Sequence, residues 1–141
     1  MNSTLNTVFW PAAASAPFID GQGTHLLCEW HGCDFSTPSL NQATTLRMLC
    51  MNAARDSGLN IVGDVFHQFE PQGVTGTVLL AESHLAIHTW PEAGCVTVDM
   101  YVCNFLQDNT HKALNLYNRL KAHFNPLQVS FLQAPLGLQP A

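Results

Sequence analysis

The stretch "VTGTVLLAESHLAIHTWPEAGCVTVDMYVCN", residues 74–104, decides the fold prediction. It is rich in β-branched and aromatic residues, and a turn-forming Pro-Glu-Ala-Gly run divides it at residues 91–94. Within its last part, apolar residues recur at every second position, which is the period of a strand with one buried face. The pattern predicts strands over residues 74–82, 84–90 and 95–104.

The flanking segments predict three more strands and two helices. The strands are expected over residues 24–33, 61–70 and 127–136. A first helix is expected between Thr37, a candidate cap followed by proline, and Gly58, a candidate stop. Its apolar face repeats at spacings of three and four and comprises Leu40, Ala43, Leu46, Cys50 and Ala53. A second helix is expected over about residues 109–124, with Ala113, Tyr117, Leu120 and Phe124 on one face.

The resulting order, β-α-β-β-β-β-α-β, predicts an α+β fold. We expect a two-layer sandwich in which a mostly antiparallel sheet carries both helices on one face. The other face of such a sheet needs cover, which favours either a dimer or a polar active-site face.

Length and composition limit the functional classes. The 141 residues predict one domain, which we place at residues 21–141 behind a flexible N-terminal arm at 1–20. Only 11% of the residues are charged, so we expect part of the surface to be covered in an oligomer. The net charge of −5, without a basic cluster, argues against a nucleic-acid partner. Since no apolar run approaches about 18 residues, a membrane span is not expected.

The cysteine pattern argues against disulfides and metals. The chain has five cysteines and no Cys-x-x-Cys pair, so neither a disulfide framework nor a structural zinc site is expected. This cysteine pattern fits best with reduced thiols in a cytoplasmic protein. The cysteines are Cys28, Cys33, Cys50, Cys95 and Cys103.

Ser83 is the candidate centre of chemistry. A surface serine in a hairpin is the simplest interpretation, and the Gly-x-Ser-x-Gly turn of a hydrolase nucleophile is absent. His84 and His88 would lie about 13 Å apart on a strand, too far to share a metal. An N→O acyl shift at Ser83, followed by β-elimination, requires a strained peptide and a nearby base. Because a regular strand would place Ser83 and His88 on opposite faces, we expect a kink, a bulge or a chain break at Ser83.

Residues 66–104, "FHQFEPQGVTGTVLLAESHLAIHTWPEAGCVTVDMYVCN", resemble the core of the short prokaryotic S-adenosylmethionine decarboxylase proenzymes. Three blocks carry the resemblance: Phe-His-x-Phe-x-Pro-x-Gly-Val-Thr-Gly, Glu-Ser-His-Leu-x-Ile-His-Thr-Trp-Pro-Glu, and a cysteine at the end of the next strand. The likeness extends more weakly from "GTHLLCEWHGCD" through the second helix.

The resemblance implies a role for six residues. Self-cleavage between Glu82 and Ser83 would give a β chain of residues 1–82 and an α chain of residues 83–141, with Ser83 converted to a covalent pyruvoyl group. His88 would act as the proton acceptor in processing, and Cys103 as the general acid in turnover. Phe69 would stack on the adenine, and Glu92 would bind the ribose hydroxyls.

The implied activity is the decarboxylation of S-adenosylmethionine. The pyruvoyl carbonyl would form an imine with this small-molecule substrate, and the product would be the aminopropyl donor for spermidine synthesis. The resemblance also implies a homodimer of αβ protomers. Two alternatives remain: the same chemistry on ornithine or arginine, and a non-catalytic homologue. The alternatives concern the substrate because the sequence departs from the family pattern at two places. Residues 93–95 are Ala-Gly-Cys where family members often have Tyr-Gly-Tyr, and Asn104 stands where they usually have glycine.

Overall fold

The computed structural model describes residues 5–9, 23–104 and 107–136. Its strands are β1 (Leu5–Phe9), β2 (Gly23–His31), β3 (Ile61–Gln68), β4 (Val74–Leu80), β5 (Ser83–Trp90), β6 (Cys95–Cys103) and β7 (Gln128–Leu136). Its helices are α1 (Ala43–Asp56) and α2 (Thr110–Phe124), with short 3-10 turns at Pro38–Asn41 and Pro91–Ala93.

The strands form one sheet in the order β1-β7-β2-β6-β5-β4-β3. Strands β2 to β7 pair antiparallel with one another. The edge strand β1 pairs parallel with β7. The predicted α+β sandwich is therefore confirmed. Residues 5–9, which the sequence places in a flexible arm, form the edge strand β1. The rest of that arm lies outside the described residues.

Both helices pack on one face of the sheet, as predicted. Helix α1 contacts β3 and β4, and α2 contacts β2 and β6. The alternating apolar residues of the strands meet the apolar faces of the helices and form the core. Fully buried side chains include Leu26, Trp30, Leu46, Leu85, Ile87, Met100, Leu116, Leu120 and Phe124.

The first helix begins later than the sequence predicts. Thr37 and Pro38 start the separate 3-10 turn, and α1 begins at Ala43. The predicted stop is confirmed, because Gly58 has a φ of +80°, a conformation that glycine adopts without a Cβ penalty. Arg47 of α1 pairs with Asp64 of β3 through two hydrogen bonds, which ties this helix to the edge of the sheet.

The side of the sheet opposite the helices is called the open face below. It carries the outward-pointing residues of β2 to β6, among them five of the seven histidines: His25, His31, His67, His84 and His88. It also exposes apolar side chains, since Val65 is 68% exposed, Leu79 47% and Trp90 42%. Within the described parts of the chain, no helix is long and apolar enough to cross a membrane.

Candidate active site

A two-residue turn joins β4 to β5 immediately before Ser83. Leu80 pairs with Ser83, so Ala81 and Glu82 form the turn. Glu82 has a φ of +57°, in the left-handed region that costs a non-glycine residue about 1–2 kcal/mol. The expected kink is therefore present, one residue earlier than predicted. It strains the residue whose carbonyl a Ser83 hydroxyl would attack.

The register of the sheet brings Ser83 beside Cys103. His84 pairs with Tyr101 across β5 and β6, which places the first residue of β5 next to the last residue of β6. The Cys103 backbone N–H donates a hydrogen bond of 2.9 Å to Ser83 Oγ. These two predicted residues, with Glu82, define what we call the Ser83 end of the sheet.

A pocket of about 360 Å³ opens at the Ser83 end. The turn at 81–83, the end of β6, the loop at 58–60 and the start of α2 surround it. Glu82 and Lys112 are the charged residues among its described lining. The residues that line this pocket thus include Glu82, Ser83, Cys103 and Lys112, and the Glu82–Ser83 peptide bond lies among them.

A buried polar network holds the end of β6 against α2. Asn104 is only 3% exposed; its amide Nδ2 donates to Thr24 Oγ1 (2.9 Å), and its Oδ1 accepts from the Asn109 N–H (2.7 Å). Asn109 Nδ2 in turn donates to the Cys103 carbonyl (3.0 Å). Thr24 Oγ1 also lies 2.7 Å from Thr110 Oγ1. The network holds the peptide between Cys103 and Asn104, next to the Cys103 N–H that reaches Ser83.

His88 lies on the open face near the other end of β5. Its Nδ1 is 3.0 Å from Thr75 Oγ1, and its ring lies 6.0 Å from that of Trp90. When Nδ1 carries the proton and donates to Thr75, the Nε2 lone pair is free to accept a proton. The geometry therefore suits a base, although not one for the Ser83 of its own chain.

Phe69 and Glu92 flank His88 in the two connections at this end of the sheet. The Phe69 ring is 48% exposed and meets the His67 ring edge-on at 4.6 Å. Glu92 lies exposed in the 3-10 turn after β5. With His88, these residues define the His88 end. An exposed aromatic ring and a free carboxylate are groups that can bind a purine and a sugar diol.

The predicted site residues thus form two groups that do not meet within one chain. Ser83 and His88 are five residues apart on a regular strand, roughly 16 Å at about 3.3 Å per residue. Their side chains also leave the strand on opposite faces, as the alternation of buried Leu85 and Ile87 shows.

His84 belongs to a third set of contacts, in the middle of the open face. Its Nε2 lies 3.2 Å from Asp99 Oδ1, which also lies 2.7 Å from His25 Nε2. The His84 ring stacks on Tyr101. These contacts agree with a structural role for His84.

The remaining cysteines differ from Cys103 in their surroundings. Burial raises the pKa of Cys28 and of Cys50 to about 12, so both stay protonated and inert. All five cysteines are free thiols.

Sequence reasoning missed Thr75, Asn104, Asn109 and Lys112 as contributors to the two ends. Of these, Thr75 had a signal in its place inside the Gly-Val-Thr-Gly block, and Asn104 had one in replacing the usual glycine.

Comparisons with known proteins agree with this geometry. A family model described as S-adenosylmethionine decarboxylase matches residues 24–135. A relative from Geobacillus sp. is 38% identical over 86% of this chain and 93% of its own length, and one from Synechococcus sp. is 40% identical over 82% and 89%. A third, from Pelotomaculum thermopropionicum, is 48% identical over 57% of this chain, and the match spans 63% of that relative. All three are named S-adenosylmethionine decarboxylase proenzyme.

The fold is shared with a solved structure. The crystal structure of the adenosylmethionine decarboxylase from Aquifex aeolicus superposes with a TM-score of 0.75 at 30% identity, covering 86% of this chain and 96% of that one. These findings support a decarboxylase, and none of them supports ornithine, arginine or a non-catalytic role. This chain belongs to the S-adenosylmethionine decarboxylase family.

Proposed function

We propose that this protein is a self-processing, pyruvoyl-dependent decarboxylase of S-adenosylmethionine that makes the aminopropyl donor for spermidine synthesis. The observation that carries the proposal is the strained backbone of Glu82, the residue before Ser83. The Ser83 hydroxyl accepts a hydrogen bond from the Cys103 N–H, and both residues line the same pocket. Cleavage here would yield a β chain of residues 1–82 and an α chain of residues 83–141. The five free thiols fit a reducing compartment, and we place the enzyme in the cytoplasm.

The first step of processing uses Ser83 alone. Its Oγ attacks the Glu82 carbonyl carbon, its proton passes to the amide nitrogen, and the C–N bond breaks to leave an ester. Glu82 has a left-handed backbone conformation, which raises the energy of the uncleaved peptide relative to this ester. Cleavage releases the turn and with it this strain.

The second step needs a base. Removal of the Ser83 α-proton expels the Glu82 carboxylate and leaves dehydroalanine, which takes up water and releases ammonia to give the pyruvoyl group. His88 Nε2 is suited to accept that proton, since Thr75 can hold the other ring nitrogen. The residues around Ser83 fit the group, because the pocket leaves room beside it for a substrate amine.

A pyruvoyl group at position 83 supplies an electron sink for the loss of CO₂. The task of the protein is then to direct the returning proton to the substrate carbon. We propose Cys103 as the donor of that proton: its backbone N–H reaches Ser83 Oγ, and the Asn109 bond to its carbonyl holds that strand end.

We propose that the site is completed by a second copy of the chain. His88, Phe69 and Glu92 lie at the opposite end of the sheet from Ser83, so a single chain cannot supply both halves. Two open faces stacked about a two-fold axis would bring the His88 end of one copy over the Ser83 end of the other. Because the Ser83 side chain starts on the helix side of the sheet, it would have to turn toward the open face to meet that His88. The exposed Val65, Leu79 and Trp90 support burial of this face in a homodimer.

Intact-mass measurement tests the processing. We expect purified protein to give two chains that divide at Ser83, with the α chain blocked by a pyruvoyl group. The Ser83→Ala variant should stay a single chain of about 15.5 kDa, whereas Ser130→Ala, at an exposed position of β7, should cleave normally. A wild-type chain that stays whole after long incubation would overturn the proposal.

Release of CO₂ tests the substrate. We expect release from S-adenosylmethionine and none from ornithine or arginine. Phe69 offers an exposed ring for the adenine, and Glu92 offers two oxygens to the ribose hydroxyls. If the cleaved protein releases CO₂ only from ornithine or arginine, the pyruvoyl chemistry stands and S-adenosylmethionine is excluded as the substrate.

A further inference from the structure

A separate group of potential ligands lies on the open face where β6 begins. Glu29 and His31 are two residues apart on β2, so they point to the same side. Cys95, the first residue of the neighbouring β6, points to that side as well, because its successor Val96 is buried in the core. Nothing in the proposed decarboxylation uses these three side chains.

Their ligand atoms converge on one point. Glu29 Oε1 lies 2.5 Å from His31 Nε2, and these two atoms and Cys95 Sγ all lie within 4.8 Å of one another. Ligand atoms around a tetrahedral zinc ion, bonded at about 2.0–2.3 Å, lie roughly 3.3–3.6 Å apart. Only a small outward movement of Glu29 and His31 is needed, and in the single chain both side chains are about half exposed.

We propose that Glu29, His31 and Cys95 bind a divalent transition-metal ion of the zinc type. Thiolate, imidazole and carboxylate are the three protein ligands that zinc accepts, and the thiolate disfavours magnesium or calcium. Binding replaces the Cys95 thiol proton and the His31–Glu29 hydrogen bond with three bonds to the ion, and the thiol proton goes to solvent. The fourth position is left to water.

The sequence predicted no metal site because it contains no Cys-x-x-Cys pair. The ligands here come from two strands far apart in the chain, so only the β2–β6 register reveals them. A comparable group, His25, His84 and Asp99, is a weaker candidate. There one carboxylate oxygen already accepts from both imidazoles, whereas the Cys95 sulfur has no hydrogen-bond partner in the described part of the chain.

Cobalt titration of the purified protein tests the site without using its activity. We expect one equivalent of Co²⁺ to bind with a sulfur-to-cobalt charge-transfer band in the near ultraviolet, and equimolar Zn²⁺ to remove the band. Cys95→Ser should abolish the band, and His31→Gln and Glu29→Gln should each weaken binding by about tenfold or more.

Two controls separate this site from its neighbours. Asp99→Asn removes the carboxylate of the other group and should leave the band and the affinity unchanged. Cys33→Ser removes a second thiol, held near Cys95 by the bond from the Cys33 N–H to the Gly94 carbonyl (2.9 Å), and should also leave them unchanged. The proposal fails if no band forms, or if the band survives in folded Cys95→Ser. Neither result would bear on self-cleavage.

Discussion

The two ends of the sheet are built in different ways. At the Ser83 end, backbone and buried polar groups hold the site: Ser83 Oγ accepts from the Cys103 backbone N–H, and Asn109 donates to the Cys103 carbonyl and to Asn104. At the His88 end, the side chains of Phe69 and Glu92 stand exposed. The first arrangement suits bond breaking at a fixed peptide, and the second suits binding a partner surface or a ligand.

This difference is the reason for proposing that two copies of the chain complete the site. A strained peptide in a rigid setting can be aligned for attack, yet elimination also requires a base, and the described lining of the pocket at this end contains no histidine. The proposed base, His88, lies at the exposed end, where it would approach a second copy.

The largest effect is expected from Cys103→Ala. Because the bond to Ser83 comes from the Cys103 backbone, cleavage should continue, while loss of the thiol proton should reduce turnover by about 10²–10⁴-fold. Intact mass and CO₂ release measure the two steps separately. Cys33→Ala, which removes a thiol outside the pocket, should keep full turnover. Equal turnover in Cys103→Ala would remove the thiol from the mechanism.

Glu92→Gln tests the exposed end. A charge-assisted hydrogen bond contributes about 1.5–3 kcal/mol, so the KM for S-adenosylmethionine should rise about 10–100-fold with little change in kcat or in cleavage. Glu70→Gln, which neutralises another exposed carboxylate at this end of the sheet, serves as the matched control. Unchanged KM in Glu92→Gln would exclude this carboxylate from ribose binding.

Asn104→Gly tests the buried network at the rigid end. Loss of its bonds to Thr24 and Asn109 should slow both cleavage and turnover by about threefold to tenfold, since each bond contributes about 1 kcal/mol. Asn104→Asp keeps the acceptor for the Asn109 N–H and should recover part of both rates. If Tm falls while both rates stay the same, the network is structural and does not position Cys103.

The smallest effect concerns the strained turn. Asparagine tolerates positive φ better than glutamate, so Glu82→Asn should stabilise the uncleaved protein by up to about 1 kcal/mol, whereas Glu82→Ala should not. Both are compared by urea unfolding in a Ser83→Ala background, where no chain is cut. With Ser83 present, Glu82→Asn should cleave more slowly than Glu82→Ala. Equal stability of the two variants would contradict the assigned strain.

Much of the fold could be predicted from periodicity, and part of the site could not. The alternation along β4, β5 and β6 is local, so the sequence shows it. Strand β1 was missed because five residues paired only with the distant β7 carry little local signal. The resemblance identified Ser83, His88 and Cys103, while the Asn104 network depends on contacts with Thr24 and Thr110 that only the packed sheet and helix create.

Mixed dimers test the central claim, that Ser83 and His88 act across two chains. Ser83→Ala and His88→Ala chains, carrying different tags, are each expected to stay uncut when produced alone. When they are produced together and the mixed dimer is isolated, the His88→Ala chain should be cut at Glu82–Ser83 and the Ser83→Ala chain should remain whole. If neither chain is cut in the mixed dimer, or if His88→Ala cleaves by itself, His88 does not process the Ser83 of a partner.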